Sequence, residues 1–427
     1  MVANDWPISR LNMNLQGMEP SATVSINERS NQLRAEGVQI YKLGLGQSPF
    51  PVPPSLAQAL RDNASQKDYL PSQGLPSLRR AIADYYHREL SLSYQPESIL
   101  VGPGSKELMF ILQLALDGEL LLPSPSWVSY APQAKIIGRP VNWLPTRYED
   151  GLKLTAQTLE QNCENGGERP RLLVLNSPNN PTGVCYHPNE LKALADVARR
   201  HRLLVLSDEI YGAVSFSGEQ DSIARYYPEG TIISNGVSKW CGAGGWRLGA
   251  MLFPPQLQPL LQAMITIASE TFTSTSAPVQ FASVWAFEDS SELTSYQRDC
   301  RAILSGLGRH CWQRLQAAGA ELPEPSGGFY LFPSFEPLRA QLEARGVSNG
   351  RQLADRLLGD TGVAVLPGEC FGRPAEELSL RLAFVDFDGT RALAGLTNAS
   401  RPEEHWLRRY CAPVVTAIDL MVDWLGS

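Results

Sequence analysis

The sequence predicts an α/β fold: a large domain with a mostly parallel central sheet wrapped by helices, and a smaller α/β domain built from both ends of the chain. Three observations carry this. Short apolar runs of strand length alternate with longer segments of helical period. The 427 residues, 43% of them apolar, give room for two packed domains at roughly 100–200 residues each. The pattern also changes near both termini.

Taken in chain order, the first 48 or so residues hold one helix, SINERSNQLRAEG (25–37), followed by YKLGLGQSPF. SILVG (98–102) reads as a strand, KELMFILQLAL (106–116) as a helix and ELLLPSPS (119–126) as a strand. RLLVLNSPNN (171–180) is a buried strand of four or five residues stopped by Asn and Pro. NELKALADVARRHR (189–202) then sets Leu191, Leu194, Ala195 and Ala198 on one helical face. LLVLSDEIY (203–211) and TIISNGVSK (231–239) supply two more buried strands. From about residue 312 come helices and the strands GGFYLFP (327–333) and SLRLAF (379–384). The expected division is 49–311 for the large domain, with 1–48 and 312–427 for the small one.

Composition narrows the function. A net charge of −7 argues against affinity won from nucleic-acid phosphates. No apolar run reaches the roughly 18–20 residues of a membrane span. MVANDWPISR at the start lacks the apolar stretch of a secretory signal. Seven scattered cysteines without a CxxC pair read as free thiols of a cytoplasmic protein, and five histidines fit no metal-ligand spacing. GLGQSP, GPGSKE and GAGGWR each contain GxG, but none completes GxGxxG; no GxxxxGK[ST] or GxSxG occurs.

The chemistry-bearing residues cluster where strands end. Asp208 directly follows an apolar strand, where open α/β sheets bind ligands, although an Asp there can equally cap a helix. Tyr211 can turn its hydroxyl into the same crevice or pack as a core aromatic. Lys239 follows the third strand amid Ile232, Ile233, Gly236, Val237 and Ala243; apolar surroundings lower a lysine pKa and make it a nucleophile toward carbonyls. Eight residues later Arg247 sits in GGWRLG, where glycines allow close backbone approach. NSPNNPTG (176–183) follows the first of these strands at the same edge.

In order and spacing, NSPNNPTG, SDEIY and SK…GGWRLG resemble the fold-type I, class I aminotransferases that use pyridoxal 5′-phosphate. The resemblance runs from EPSATVSIN (19–27) to SLRLAF (379–384). It implies that Lys239 is the lysine joined to the cofactor, which also moves the proton between substrate Cα and cofactor C4′. Asp208 resembles the carboxylate paired with the pyridine nitrogen, keeping the ring an electron sink. Tyr211 and Asn180 match the partners of the ring's phenolic oxygen, and Trp127 in PSPSWVSY matches the aromatic ring stacked on the pyridine. For the phosphate, the resemblance assigns Ser105 and Lys106 at a helix start, together with Arg247. Tyr69 matches a tyrosine that reaches the neighbouring subunit's phosphate, which implies a homodimer. Arg381 resembles the arginine that binds the α-carboxylate bidentately. Gly46 matches a glycine beside the same carboxylate, or serves as a turn glycine. In one departure, Gly236 stands where many relatives carry a phosphate-binding Ser; some aspartate-using members also have a small residue there.

The implied activity is ping-pong transfer of an amino group from an L-amino acid to a 2-oxo acid, with 2-oxoglutarate as acceptor. Lys106 occupies the place where some bacterial aspartate-using members pair with the substrate's distal carboxylate, which favours aspartate or glutamate. Aromatic or neutral amino acids are the alternative donors, and a β-lyase of the same fold is the alternative chemistry. A regulatory protein with this fold would need an appended DNA-binding domain, for which the acidic chain offers no basic arm.

Overall fold

The computed structural model describes residues 12–164, 169–396 and 402–426. The MVANDWPISR segment and the beginning of the 1–48 stretch therefore lie outside the described residues. Twelve strands form among those described: β1 (Tyr41–Lys42), β2 (Ile99–Gly102), β3 (Glu119–Ser124), β4 (Val141–Pro145), β5 (Arg171–Asn176), β6 (Leu204–Asp208), β7 (Thr231–Gly236), β8 (Gly249–Leu252), β9 (Tyr330–Leu331), β10 (Val363–Ala364), β11 (Leu366–Pro367) and β12 (Leu380–Ala383).

Seven of them make the central sheet, in the order β2-β8-β7-β6-β5-β3-β4. All its neighbours pair in parallel except those of β8, which runs antiparallel to both β7 and β2. β5 and β7 are buried along their whole length, as strands covered on both faces must be. One face packs Leu122, Val174, Leu206 and Ile232 against the helices Ser105–Ala115 and Gln258–Thr271. The other packs Leu173, Leu175 and Val205 against the helix Pro188–Arg200. That helix opens with Pro in its first turn and a capping box between His187 and Glu190, and closes on Arg199 and Arg200. Its buried Leu191 and Leu194 each contribute about 1.5–3 kcal/mol of apolar transfer energy.

The two ends of the chain meet through the small sheets. β1 pairs in parallel with β10, and β12 pairs antiparallel with β9 and β11. The 27-residue helix Ser291–Ala317 runs from the central part toward this region, and its Gly308 lies against Phe384. The division expected at 311–312 falls inside this helix.

Two strands of the central sheet, β4 and β8, carry no long apolar run in the sequence. The GGFYLFP strand is shorter than expected, because only Tyr330 and Leu331 pair. The first helix spans Ala22–Ala35, not 25–37. No helix among the described residues is long and apolar enough to cross a membrane, and no three His, Cys, Asp or Glu side chains there gather as a metal-holding group.

Candidate active site

Strand register builds the site. Asn176 pairs with Asp208 across β5 and β6, and Asp208 with Ser234 across β6 and β7, so three carboxyl ends stand in one row. The loops leaving that row carry Asn180, Tyr211 and Lys239. Antiparallel β8 starts at the same edge, where Gly249 faces both Gly236 and Gly102; this brings Arg247 in from the opposite direction. The apolar order of the sheet thus delivers four polar loops to one crevice.

Asp208 is buried, and its Oδ2 accepts a 2.6 Å hydrogen bond from the Tyr130 hydroxyl. Burial lifts its carboxyl to about 6, against the opposing effects of Tyr130, the Ile210 N–H and Lys239. Asn176 Nδ2 donates to the Asp208 carbonyl at 2.8 Å, while Asn176 Oδ1 accepts from the Asn180 N–H at 2.7 Å. One asparagine therefore fixes the strand end and the loop together. Gly183 closes that loop at a positive φ of 74°, where a Cβ would lie 2.3 Å from the Tyr330 carbonyl.

Lys239 Nζ donates to the Gly46 carbonyl at 2.7 Å. Burial, followed by Arg381, draws its ammonium down to about 8. Arg381 is 1% exposed; it donates through Nη1 to Asn180 Oδ1 at 3.4 Å and through Nη2 to the Gly44 carbonyl. Its Nε has no partner among the described residues, and no carboxylate there pairs with it. A buried guanidinium left this way is built to receive an anion from outside. Gly46 is not a turn glycine with positive φ: it is small because a Cβ would meet the Tyr330 hydroxyl. Tyr211 shares a 2.7 Å hydrogen bond with that same hydroxyl.

At the far side, the helix Ser105–Ala115 begins after Gly104, with no side-chain cap on its first N–H groups. Gly249 lets β8 press against it, since a Cβ there would lie 2.3 Å from the Ser105 nitrogen. Gly104, at φ 92°, leaves space taken by the Arg247 guanidinium. Arg247 itself holds a left-handed conformation at φ 55°, strain of the kind found at ligand clamps. A helix start plus an arginine fork is an anion cradle. Gly236 cannot be enlarged in place, because a Cβ would lie 2.6 Å from the Leu248 carbonyl. Lys106 lays its Nζ 5.2 Å from the Trp127 ring centre, and its ammonium is lowered by burial and then by Arg247. It forms no ion pair among the described residues. Trp127 meets Tyr130 edge-on at 5.2 Å, which links it to Asp208.

Of the residues singled out from sequence, Tyr69 alone stands apart, at 89% exposure and with no bond to the others among the described residues. Sequence reasoning missed Tyr130, Asn176 and Tyr330. Asn176 and Tyr130 lie inside motifs already quoted, NSPNNPTG and PSPSWVSY, and Tyr330 lies in GGFYLFP; only the register and packing show what they touch.

The family model for class I and II aminotransferases matches residues 38–394. The chain is 33% identical to an aspartate aminotransferase of Geobacillus stearothermophilus over 86% of this chain and 92% of that protein. It is 34% identical to an aspartate/prephenate aminotransferase of Thermus thermophilus, over 84% and 91%. A solved structure of Thermus thermophilus aspartate aminotransferase with maleate superposes with a TM-score of 0.81 at 31% identity, covering 90% of this chain and 98% of that one.

Proposed function

The chain belongs to the class I and II aminotransferases, and from that premise we propose that it moves the α-amino group of aspartate or glutamate to a 2-oxo acid such as 2-oxoglutarate, using pyridoxal 5′-phosphate. The observation that carries this reading is Arg381, buried without an acidic partner on the same Gly44–Gly46 segment that holds Lys239 Nζ.

The residues fit the cofactor. Three glycines let its candidate partners close on one crevice: side chains at Gly46, Gly104 and Gly249 would collide with Tyr330, Arg247 and the Ser105 nitrogen. Asp208 forms no ion pair among the described residues, as suits a carboxylate awaiting a cationic ring nitrogen. In the proposed arrangement Lys239 carries the cofactor, Asp208 holds the proton on its ring nitrogen, and Trp127 covers the ring and excludes water. Tyr211 and Asn180 donate to the phenolic oxygen. The first N–H groups at Ser105 and Lys106 hold the phosphate with Arg247. When bound, the cofactor supplies the sink for the electron pair left on the substrate Cα.

The substrate steps fall to this chain's own groups. Arg381 binds the α-carboxylate as a two-pronged donor beside Gly46 and so orients the Cα–H bond. Lys239, with its pKa drawn down toward neutrality, would take the proton from Cα and return it two atoms along, at the position of the cofactor C4′. Lys106, without an acidic partner, receives the distal carboxylate of a dicarboxylic donor. The maleate bound by the Thermus relative is itself a dicarboxylate.

The exposed Tyr69 supports a homodimer in which this ring reaches the partner's phosphate. Seven unpaired cysteines support a reducing cytoplasm. The pairing of β1 with β10 supports assigning 1–48 and 312–427 to one small domain and 49–311 to the large one. The test is kcat/KM for a panel of amino donors with 2-oxoglutarate. Aspartate and glutamate are expected to lead; a panel led by phenylalanine would overturn the substrate assignment, and no oxo-acid product from any donor would overturn the activity.

A further inference from the structure

We propose that Tyr330 is a positioning residue that couples the α-carboxylate pocket to the Tyr211 hydroxyl and sets how strongly that hydroxyl donates to the bound cofactor. The inference rests on the pyridoxal phosphate reading above and extends it to a side chain to which that reading gives no role.

Strand pairing explains how Tyr330 arrives. It lies opposite Ala383 across β9 and β12, and Arg381 is two residues from Ala383 on the same face. The Arg381 guanidinium carbon consequently sits 5.0 Å from the Tyr330 ring centre. The other end of the side chain is held from two directions. Its oxygen is packed so closely on Gly46 that a Cβ there would lie 1.9 Å away, and it shares a 2.7 Å bond with the Tyr211 hydroxyl. The two rings meet edge-on at 5.6 Å, and both tyrosines are buried.

A buried hydroxyl pair has two protons and one shared contact. Either hydroxyl can donate to the other in the free protein, and the positive charge of Arg381 makes Tyr330 the more willing donor. An anionic ring oxygen beside Tyr211 fixes the direction. The Tyr211 proton turns to the new acceptor, and the Tyr330 proton rotates to fill the Tyr211 lone pair. No covalent bond changes; only two O–H directions do. A donor that itself accepts a hydrogen bond donates more strongly, so Tyr330 strengthens Tyr211. A substrate carboxylate on Arg381 offsets the charge beside the Tyr330 ring, and donor binding is thereby felt at the cofactor oxygen.

The experiment reads the bound cofactor's visible absorbance against pH in the holoprotein without substrate, for wild type, Tyr330→Phe, Tyr211→Phe and the double variant. Donation to the ring oxygen stabilises its more negative, deprotonated form and holds the midpoint down. Tyr330→Phe is expected to raise that midpoint by about 0.4–1 pH unit, the equivalent of one neutral hydrogen bond. Tyr211→Phe should raise it further, and adding Tyr330→Phe to Tyr211→Phe should change nothing. An unmoved midpoint in Tyr330→Phe, or the same shift in both backgrounds, overturns the inference. Should Tyr330→Phe fail to fold, Gly46→Ala, which displaces the Tyr330 oxygen, must give the same upward shift or the inference fails. A wild type that takes up no pyridoxal phosphate overturns the functional reading and this inference with it; a wild type that titrates while Tyr330→Phe matches it overturns this inference alone.

Discussion

Uptake of pyridoxal phosphate by the apoprotein should be half-maximal near pH 8 and level off about one unit higher, well below where an ordinary lysine would allow it. Lys239 is drawn from 10.5 to about 8, chiefly by burial and next by the like charge of Arg381, with Asp208 pulling the other way. Only the neutral amine attacks an aldehyde. At pH 7 a lysine titrating at 10.5 is about 0.03% neutral and one titrating at 8 about 9%, a gain of roughly 300-fold in reactive fraction. The assay is stopped-flow absorbance with excess pyridoxal phosphate, with ε-aminocaproate as a reference amine subject to the same titrations of the cofactor. The protein-to-reference rate ratio should be level below about pH 7.5 and then fall as the reference alone keeps gaining neutral amine. Arg381→Leu should move the break upward, though not to 10.5, because burial is the larger cause. A ratio that stays level through pH 10, or a break that moves downward in Arg381→Leu, would refute the reasoning.

Other outcomes follow from the same geometry. Asp208, held at about 6 against 3.8, keeps in the folded state a proton that the unfolded chain releases; its stabilising share is complete below about pH 4 and gone above about 6. At pH 8 that buried carboxylate costs about 3 kcal/mol, so apo Asp208→Asn should melt several degrees higher at pH 8, with the gap closing by pH 4, while turnover falls by orders of magnitude. Calorimetry across pH checks the first part and steady-state kinetics the second. Lys106→Met should lower kcat/KM for aspartate about ten- to a hundred-fold and leave phenylalanine nearly unchanged, since one charge-assisted bond contributes roughly 1.5–3 kcal/mol. Arg381→Ala should weaken both donors together, and an equal loss for both in Lys106→Met would return that lysine to the phosphate. Light scattering should show a dimer, with Tyr69→Phe releasing cofactor faster on dialysis; a fully active monomer would contradict the cross-subunit role.

How far the sequence could be read depended on the kind of signal. β5 and β6 carry apolar runs that stop at Asn and at Ser-Asp, and β7 carries the Ile232–Ile233 pair before Ser, Asn and Gly; such short runs cut off by polar residues announce buried parallel strands. β8 starts from the Gly-rich GGWRLG segment, so it reads as loop until its pairing with β2 and β7 is seen. β4, VNWLP, is an edge strand with two half-buried residues and an exposed Trp143, and it lacks that apolar continuity. Site residues on motif loops were visible because their residue types are chemically unusual after a strand. Tyr130 and Tyr330 were not, because a tyrosine that orients a carboxylate and one that packs in a core look the same in sequence. The 2.6 Å bond to Asp208 and the 2.7 Å bond to Tyr211 distinguish them. The reason for Gly46 was equally hidden: the side chain it makes room for lies 284 positions along the chain, at Tyr330.

The central claim is amino-group transfer on a cofactor held by Lys239, and a half-reaction tests it most directly. Holoprotein mixed with L-aspartate and no oxo acid should release one equivalent of 2-oxo acid per site, produce no ammonia, lose its visible absorbance, and regain it on addition of 2-oxoglutarate. Borohydride reduction before the amino acid is added should fix the cofactor on the peptide containing Lys239 and abolish the reaction. Repeated turnover to ammonia and oxo acid without an acceptor, or cofactor fixed at a different lysine, would contradict the account.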